Sequence, residues 1–273
     1  MLIRRKLEHI CVCVATYRRP ALLDILLHSL IGQVTMGKFT YSIVVVDNDV
    51  LHSAEEIVRR YSRGAAVTIV YAVEERKNIA YARNKSLSLA KGDYVAFTDD
   101  DCRVTSRWLY TLYCAAREHN ADVVHGPRYP LFEEGVPNWV KRSKFFLQDD
   151  LPTGTSRYES MGTNNCLIRC SCLPPGPEVF SPEFGLTGGE DRLLFILLLK
   201  KNLRFAWSAE GYVYEFVPRC RAKLSWIIRR SFREGNTNML IFKKTESRRA
   251  VGCRLLRILA GFAGGCLCGP VLI

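Results

Sequence analysis

Histidine is scarce in this chain: there are 5 in 273 residues, and none lies beyond His125. No imidazole base therefore competes with a carboxylate for a general-base role in the C-terminal half. Acidic residues are also thin there. From Lys200 to Arg257 there are 4, against 15 basic residues, while the rest of the chain carries 23 and 24. Almost all of the net charge of +12 thus sits near one end, which points to an anionic surface or ligand met by that end only. A long apolar span is missing as well. The uncharged C-terminal stretch, Ile258 to Ile273, has 16 residues and contains Gly264, Gly265 and Pro270, where a spanning helix needs about 20. It is expected to be a clipped membrane segment or an interfacial anchor, and its basic flank suits the cytoplasmic side. The charged start, Met1 to Glu8, does not read as a leader. There is no internal repeat and no low-complexity segment, and with 48% hydrophobic and 24% charged residues disorder is excluded. The 11 cysteines are scattered, with Cys11, Cys13 and Cys166 in apolar runs, and are expected to be reduced thiols. Cys166, Cys170 and Cys172 lack a second ligand pair at finger-like spacing, so no zinc site is expected.

Strand and helix patterns alternate through the first hundred residues. Strands are expected over 10–15, 41–46, 67–73 and 94–98. Pro20 opens a helix to Gln33 with Leu22, Leu23, Leu26, Leu27 and Leu30 on its apolar face. Ser53 is expected to cap a helix through Tyr61, and a third runs from Ile79 to Lys91, stopped by Gly92. This alternation predicts an α/β fold with a mostly parallel sheet. Further on, helices are expected over 106–119, 192–201 and 224–242, strands over 122–126 and 165–169, and loops from Pro127 to Thr163.

The chemistry-bearing residues fall where such a sheet binds ligands, beyond the carboxyl ends of its strands. Asp99, Asp100 and Asp101 follow an apolar strand. Alternation along an extended chain would point Asp99 and Asp101 to one side and Asp100 to the other. Three adjacent acids repel one another, and a hard divalent cation such as Mg2+ or Mn2+ would offset that repulsion. Such a cation commonly holds phosphates, with Arg18, Arg19 and Arg83 as candidate partners at neighbouring strand ends. Asp47, ending a buried strand, is either a turn residue or a hydrogen-bond acceptor for a base or ribose. Glu190 and Asp191 follow Gly188 and Gly189 at a helix start, where the dipole favours carboxylates. There the glycines would also let the backbone approach a ligand, and one acid would act as general base.

The ordered set Ala15-Thr16-Tyr17-Arg18-Arg19-Pro20, Val45-Val46-Asp47-Asn48, Ala82-Arg83-Asn84, Phe97-Thr98-Asp99-Asp100-Asp101 and Gly189-Glu190-Asp191 resembles glycosyltransferase family 2, with its GT-A fold. The likeness extends to bacterial exopolysaccharide glucosyltransferases of the succinoglycan type and covers about Ile10 to Arg233. It implies inverting transfer of a sugar, such as glucose, from a nucleotide-sugar, UDP-linked by expectation, to a glycan or lipid-linked acceptor. It further implies that Thr16 and Arg18 border the nucleotide, that Asp47 contacts the base and that Arg83 supports the nucleotide site. Asp99 and Asp100 would belong to the nucleotide-sugar site, Asp99 and Asp101 to the Mn2+ or Mg2+ site, and Asp191 would be the catalytic base beside Glu190. Many relatives place a late His on the metal; here Tyr212-Val213-Tyr214-Glu215 offers Glu215 instead. The expected division is a GT-A domain over 1–222, with a nucleotide-sugar half (1–102) and an acceptor half (103–222). Residues 223–273 would form a membrane-associating segment that meets anionic lipids on the cytoplasmic face.

Two other readings explain less. A sugar-phosphate nucleotidyltransferase would need a Gly-rich loop after the first strand, and Thr16 to Pro20 contains no glycine. A non-catalytic membrane-associated binding protein would not need both acidic clusters. Nucleic-acid binding is not expected, because the basic excess adjoins an apolar tail.

Overall fold

The computed structural model describes residues 6–147, 151–156, 161–247 and 249–250; the apolar tail and its expected membrane role lie outside them. A seven-stranded sheet forms the centre. Its first four strands are β1 (Glu8–Thr16), β2 (Phe39–Asp47), β3 (Thr68–Val73) and β4 (Tyr94–Thr98), linked by helices α1 (Pro20–Leu30), α2 (Glu55–Ser62) and α3 (Ile79–Leu89). Strands β1 to β4 pair in parallel, in the order β3-β2-β1-β4. The strand order therefore reverses direction at β1, which opens a crevice at its carboxyl end.

Side-chain alternation along β1 separates two cores. Ile10, Val12 and Val14 pack with Leu23, Leu26, Leu27 and Leu30 of α1 on one face; Cys11 and Cys13 pack with Ala80 and Ala82 of α3 on the other. No side chain caps α1 at Arg19. Burying each leucine contributes about 1.5–3 kcal/mol, so packing rather than capping holds this helix. Ser53 does not cap α2. The N–H of Ala54 donates instead to Asp47 Oδ2 at 2.8 Å, so an acid from the preceding strand takes over that role.

The second half begins with β5 (Cys102–Val104) and α4 (Trp108–Glu118), then β6 (Val123–His125) and β7 (Arg128–Phe132). After a short helix, α5 (Asn138–Lys141), come β8 (Asn165–Arg169), α6 (Glu190–Lys200), β9 (Phe205–Trp207), β10 (Val213–Val217) and α7 (Leu224–Thr245). Strand β8 runs antiparallel between β4 and β6 and splices the halves into one sheet. The stretch after Pro127 is not simply loop. Its strand β7 joins β10 and β5 in a small second sheet that the sequence reading missed: β7 and β10 are mostly half-buried and lack the continuous apolar run that marks the equally short β4 and β8. Helix α7 is anchored on the second half through Trp226 and Ile227, which pack beside Val217 and Phe146. Among the described residues no helix is long and apolar enough to cross a membrane.

His125 lies in the sheet opposite Cys166 and Trp207, with its ring 4.6 Å from that of Phe195. Burial lowers its pKa to about 3, against the raising effect of a hydrogen bond donated to the Gly162 carbonyl. The folded value lies below the unfolded one, so the unfolded chain binds more protons between them. Stability is complete above about pH 6.5 and falls as the pH drops toward 3. Two pH units below 6.5 should cost about 2–3 kcal/mol from this group. In thermal melts between pH 7 and 4.5, His125→Leu should show a shallower decline than the parent. Equal slopes would remove His125 as the source.

Candidate active site

A cleft of about 870 Å³ opens where the carboxyl ends of β1 and β4 face α6, β10 and α7. Strand β4 stops at Thr98, and the chain turns through Asp99, Asp100 and Asp101, with the N–H of Cys102 donating to Asp99 O at 3.1 Å. The expected alternation therefore ends before the acids. Asp100 and Asp101 share one partner: Arg19 Nη1 donates to Asp100 Oδ1 at 3.0 Å and to Asp101 Oδ2 at 3.1 Å. Thr16, at the end of β1, donates to Asp100 Oδ2 at 2.9 Å. Burial raises the Asp100 carboxyl, against the pull of Arg19 and Thr16. Burial, together with repulsion from Asp99, Glu215 and Asp100, raises Asp101 to about 7.

Arg83 joins the two acidic clusters. From the buried face of α3, its guanidinium donates to Asp99 Oδ1 at 3.1 Å and to Glu190 Oε1. Burial works to lower the Arg83 pKa, but Glu190, Asp99 and Asp191 outweigh it and the net direction is upward. Helix α3 is anchored by Asn78, whose side chain accepts from Ala80 N at 2.9 Å and donates to Pro182 O at 2.9 Å. Only glycine fits at 185, because a Cβ there would meet Asn78 Oδ1 at 1.7 Å. Asn84, in the same run as Arg83, exchanges two hydrogen bonds with the backbone of Phe180.

Asp191 sits in the first turn of α6 and accepts from its neighbour Arg192 N at 2.7 Å. It lines the large cleft and also an adjoining cavity of about 240 Å³. Glu190 lies a layer behind, buried against Arg83, and lines neither. Burial pushes its carboxyl up to about 7, against Arg83. Of the two glycines before it, Gly189 serves packing: a Cβ there would come within 2.3 Å of Thr237 Cγ2 on α7.

Profile comparison matches residues 11–174 to "Glycosyl transferase family 2". The succinoglycan biosynthesis protein ExoM of Rhizobium meliloti (strain 1021) is 33% identical over 96% of this chain and 85% of its own. The chain belongs to glycosyltransferase family 2. The poly(ribitol-phosphate) beta-glucosyltransferase of Bacillus spizizenii is 28% identical over 77% of this chain, which spans 32% of that protein. Among solved structures, S. aureus TarS 1-349 in complex with UDP-GlcNAc superposes with a TM-score of 0.59 at 22% identity, over 77% of this chain and 58% of that one. The enzyme is thus a family 2 glycosyltransferase with the α/β GT-A fold.

Of the residues expected to form its site, Thr16, Arg83, Asp99, Asp100, Asp101, Asp191 and Glu215 line one cleft. Three do not. Asp47 is fully buried and spends its carboxylate on the N–H groups of Asp49 and Ala54 and on the Tyr71 hydroxyl, which makes it a turn organiser in this structure. Arg18 points to Asp49, and Glu190 to Arg83. Glu215 is held by Arg128 and, at 3.5 Å, by Arg221. Among the described residues no three His, Cys, Asp or Glu side chains converge as a ready cation cage. The residues that sequence reasoning missed are basic or aromatic: Tyr17, Lys77, Arg128, Arg221, Trp226, Arg230 and Arg233. The C-terminal basic excess, expected to meet an anionic surface or ligand, is the signal for Arg221, Arg230 and Arg233.

Arg83→Met would leave Glu190 buried without its partner, which costs about 3–5 kcal/mol. Removing both charges in Arg83→Met/Glu190→Met should recover much of that loss, since no charge then stays buried there. Chemical denaturation of the three proteins checks this. A double variant no more stable than Arg83→Met would mean that the pair is not coupled.

Proposed function

We propose that this glycosyltransferase moves a hexose, such as glucose, from a UDP-linked donor to a hydroxyl of a glycan or lipid-linked oligosaccharide, with inversion, in polysaccharide biosynthesis. One observation carries the reading: Asp99, Asp101 and Asp191 come from distant stretches of chain yet line one cleft. In the proposed reaction the acceptor oxygen attacks the anomeric carbon and gives its proton to Asp191. The bond from that carbon to the diphosphate breaks on the opposite side. Arg19, Lys77 and Arg83, all on the cleft wall, face the charge that develops on the leaving group. Relatives named as a succinoglycan biosynthesis protein and a poly(ribitol-phosphate) beta-glucosyltransferase support the acceptor class, and the neighbour bound to UDP-GlcNAc supports the donor class.

The donor set suits Mn2+ or Mg2+. Asp99, Asp101 and Glu215 are hard oxygen ligands whose crowding raises Asp101 alongside its burial. Mg2+ commonly binds through one or two carboxylates completed by phosphates and water, so a full protein cage is not required. When bound, the cation would offset charge on the departing diphosphate. A membrane surface is the proposed location. Leu224, Ile228 and Phe232 form an exposed stripe at four-residue spacing on α7, beside Lys223 and Arg229; the expected cytoplasmic face rests on the basic excess.

Asp191→Asn should keep donor binding and slow transfer by about 10²–10⁴-fold, whereas Asp101→Ala should lose the Mn2+-dependent part of donor binding. A panel of UDP-sugars read by calorimetry and by product release distinguishes the two. Unimpaired transfer in Asp191→Asn would remove it from the base role. Co-sedimentation with vesicles containing phosphatidylglycerol should fall for Phe232→Ser, and equal pelleting would remove the stripe from membrane contact.

A further inference from the structure

Resting on the glycosyltransferase reading above, we infer that the 240 Å³ cavity beside Asp191 is an acceptor subsite for an anionic oxyacid group, a phosphate or a carboxylate carried next to the sugar that is extended. Its position follows from the chemistry. In an in-line displacement the nucleophile enters on the side opposite the leaving group. The acid turn of β4 marks the leaving-group side, and Asp191 is part of the wall common to both spaces. An acceptor whose hydroxyl meets Asp191 from the far side therefore places its adjoining groups in the smaller cavity.

The charge of that cavity sets its ligand. Arg128, Arg192, Arg230 and Arg233 line it, against two acids, Asp191 and Glu234. Arg128 is engaged by Glu215 and Arg230 by Glu234. Arg192 and Arg233 have no ion-pair partner among the described residues. Burial and the neighbouring Arg230 lower the Arg233 pKa, with Glu234 opposing, as expected of a cation lacking a full counter-charge. Both residues are exposed to solvent on the cavity wall; a neutral sugar end would offer their guanidinium groups no charged acceptor, whereas an oxyacid can accept from both.

The framework is built to hold them there. Arg230, Arg233, Thr237 and Ile241 recur at helical spacing on one face of α7, and this face seats on α6 where Gly189 has no side chain. The exposed stripe of Leu224, Ile228 and Phe232 lies on the other face. One helix thus turns arginines to the acceptor and apolar groups outward.

The test compares Arg192→Gln/Arg233→Gln with the parent on three synthetic acceptors sharing one alkyl chain: a glucosyl diphosphate, a glucuronide and a neutral glucoside. With the UDP-sugar selected in the donor panel, the double variant should raise KM for the charged acceptors about tenfold or more, the scale of a lost charge-assisted contact, and leave KM for the neutral one in place. A preference for the diphosphate identifies a lipid-linked phosphate as the source, and a preference for the glucuronide an acidic sugar. Equal KM changes on all three acceptors would overturn the inference. A second readout needs no turnover: inorganic pyrophosphate, titrated calorimetrically with the donor site filled by UDP, should bind the parent and bind the double variant about tenfold more weakly. Unchanged pyrophosphate affinity would overturn the subsite even if transfer proceeds, while failure of every UDP-sugar with pyrophosphate binding intact would instead overturn the donor reading.

Discussion

A single guanidinium carries the architecture of this active site. Arg83 is buried on α3, and its two ends reach Asp99 at the tip of β4 and Glu190 at the start of α6. These acids are 91 residues apart in the chain (190 − 99). Without the cation, burial and mutual repulsion would favour protonated acids or a splayed site. With it, the helix bearing Asp191 is fixed relative to the acid turn. Glu190 is accordingly a positioning residue. It has no access to a ligand, and its carboxylate holds the N-terminus of α6 in place so that the next side chain, Asp191, faces the cleft.

The same logic recurs across the cleft. Seven basic side chains and six acidic ones line it, a surplus of one positive charge. Arg19 spans Asp100 and Asp101, Arg221 spans Asp101 and Glu215, and Arg128 holds Glu215. Each of these three acids is thereby paired with at least one guanidinium. Arg19 comes from the loop after β1 and Arg221 from the stretch after β10, so the neutralising shell forms only when both halves have folded.

Much of the N-terminal half was legible because its strands are apolar and punctuated by Asp47-Asn48 and the acid triplet at their ends. The convergence of Asp101 and Asp191 was legible from motif order. The direction of individual side chains was not. Alternation predicts opposed faces for Asp100 and Asp101, yet a turn immediately after Thr98 gives them a common partner. Asp47 reads as a ligand group by its place at a strand end, but the loop behind it has unmet N–H groups that claim both its oxygens. The second sheet was hidden because β7 and β10 are mostly half-buried and lack a continuous apolar run.

The C-terminal basic excess shows why charge counts alone misplace function. Summed along the sequence, it suggests an anionic surface or ligand at one end without saying which. Folded, α7 divides it: Arg230 and Arg233 face the cleft and Arg229 faces outward. The division depends on helical spacing and on the bare Gly189 that lets Thr237 seat against α6. A side chain at that glycine would push α7 away and withdraw both arginines from Asp191 together. The placement of these arginines and that of Asp191 are therefore one structural property, set by how closely two helices approach.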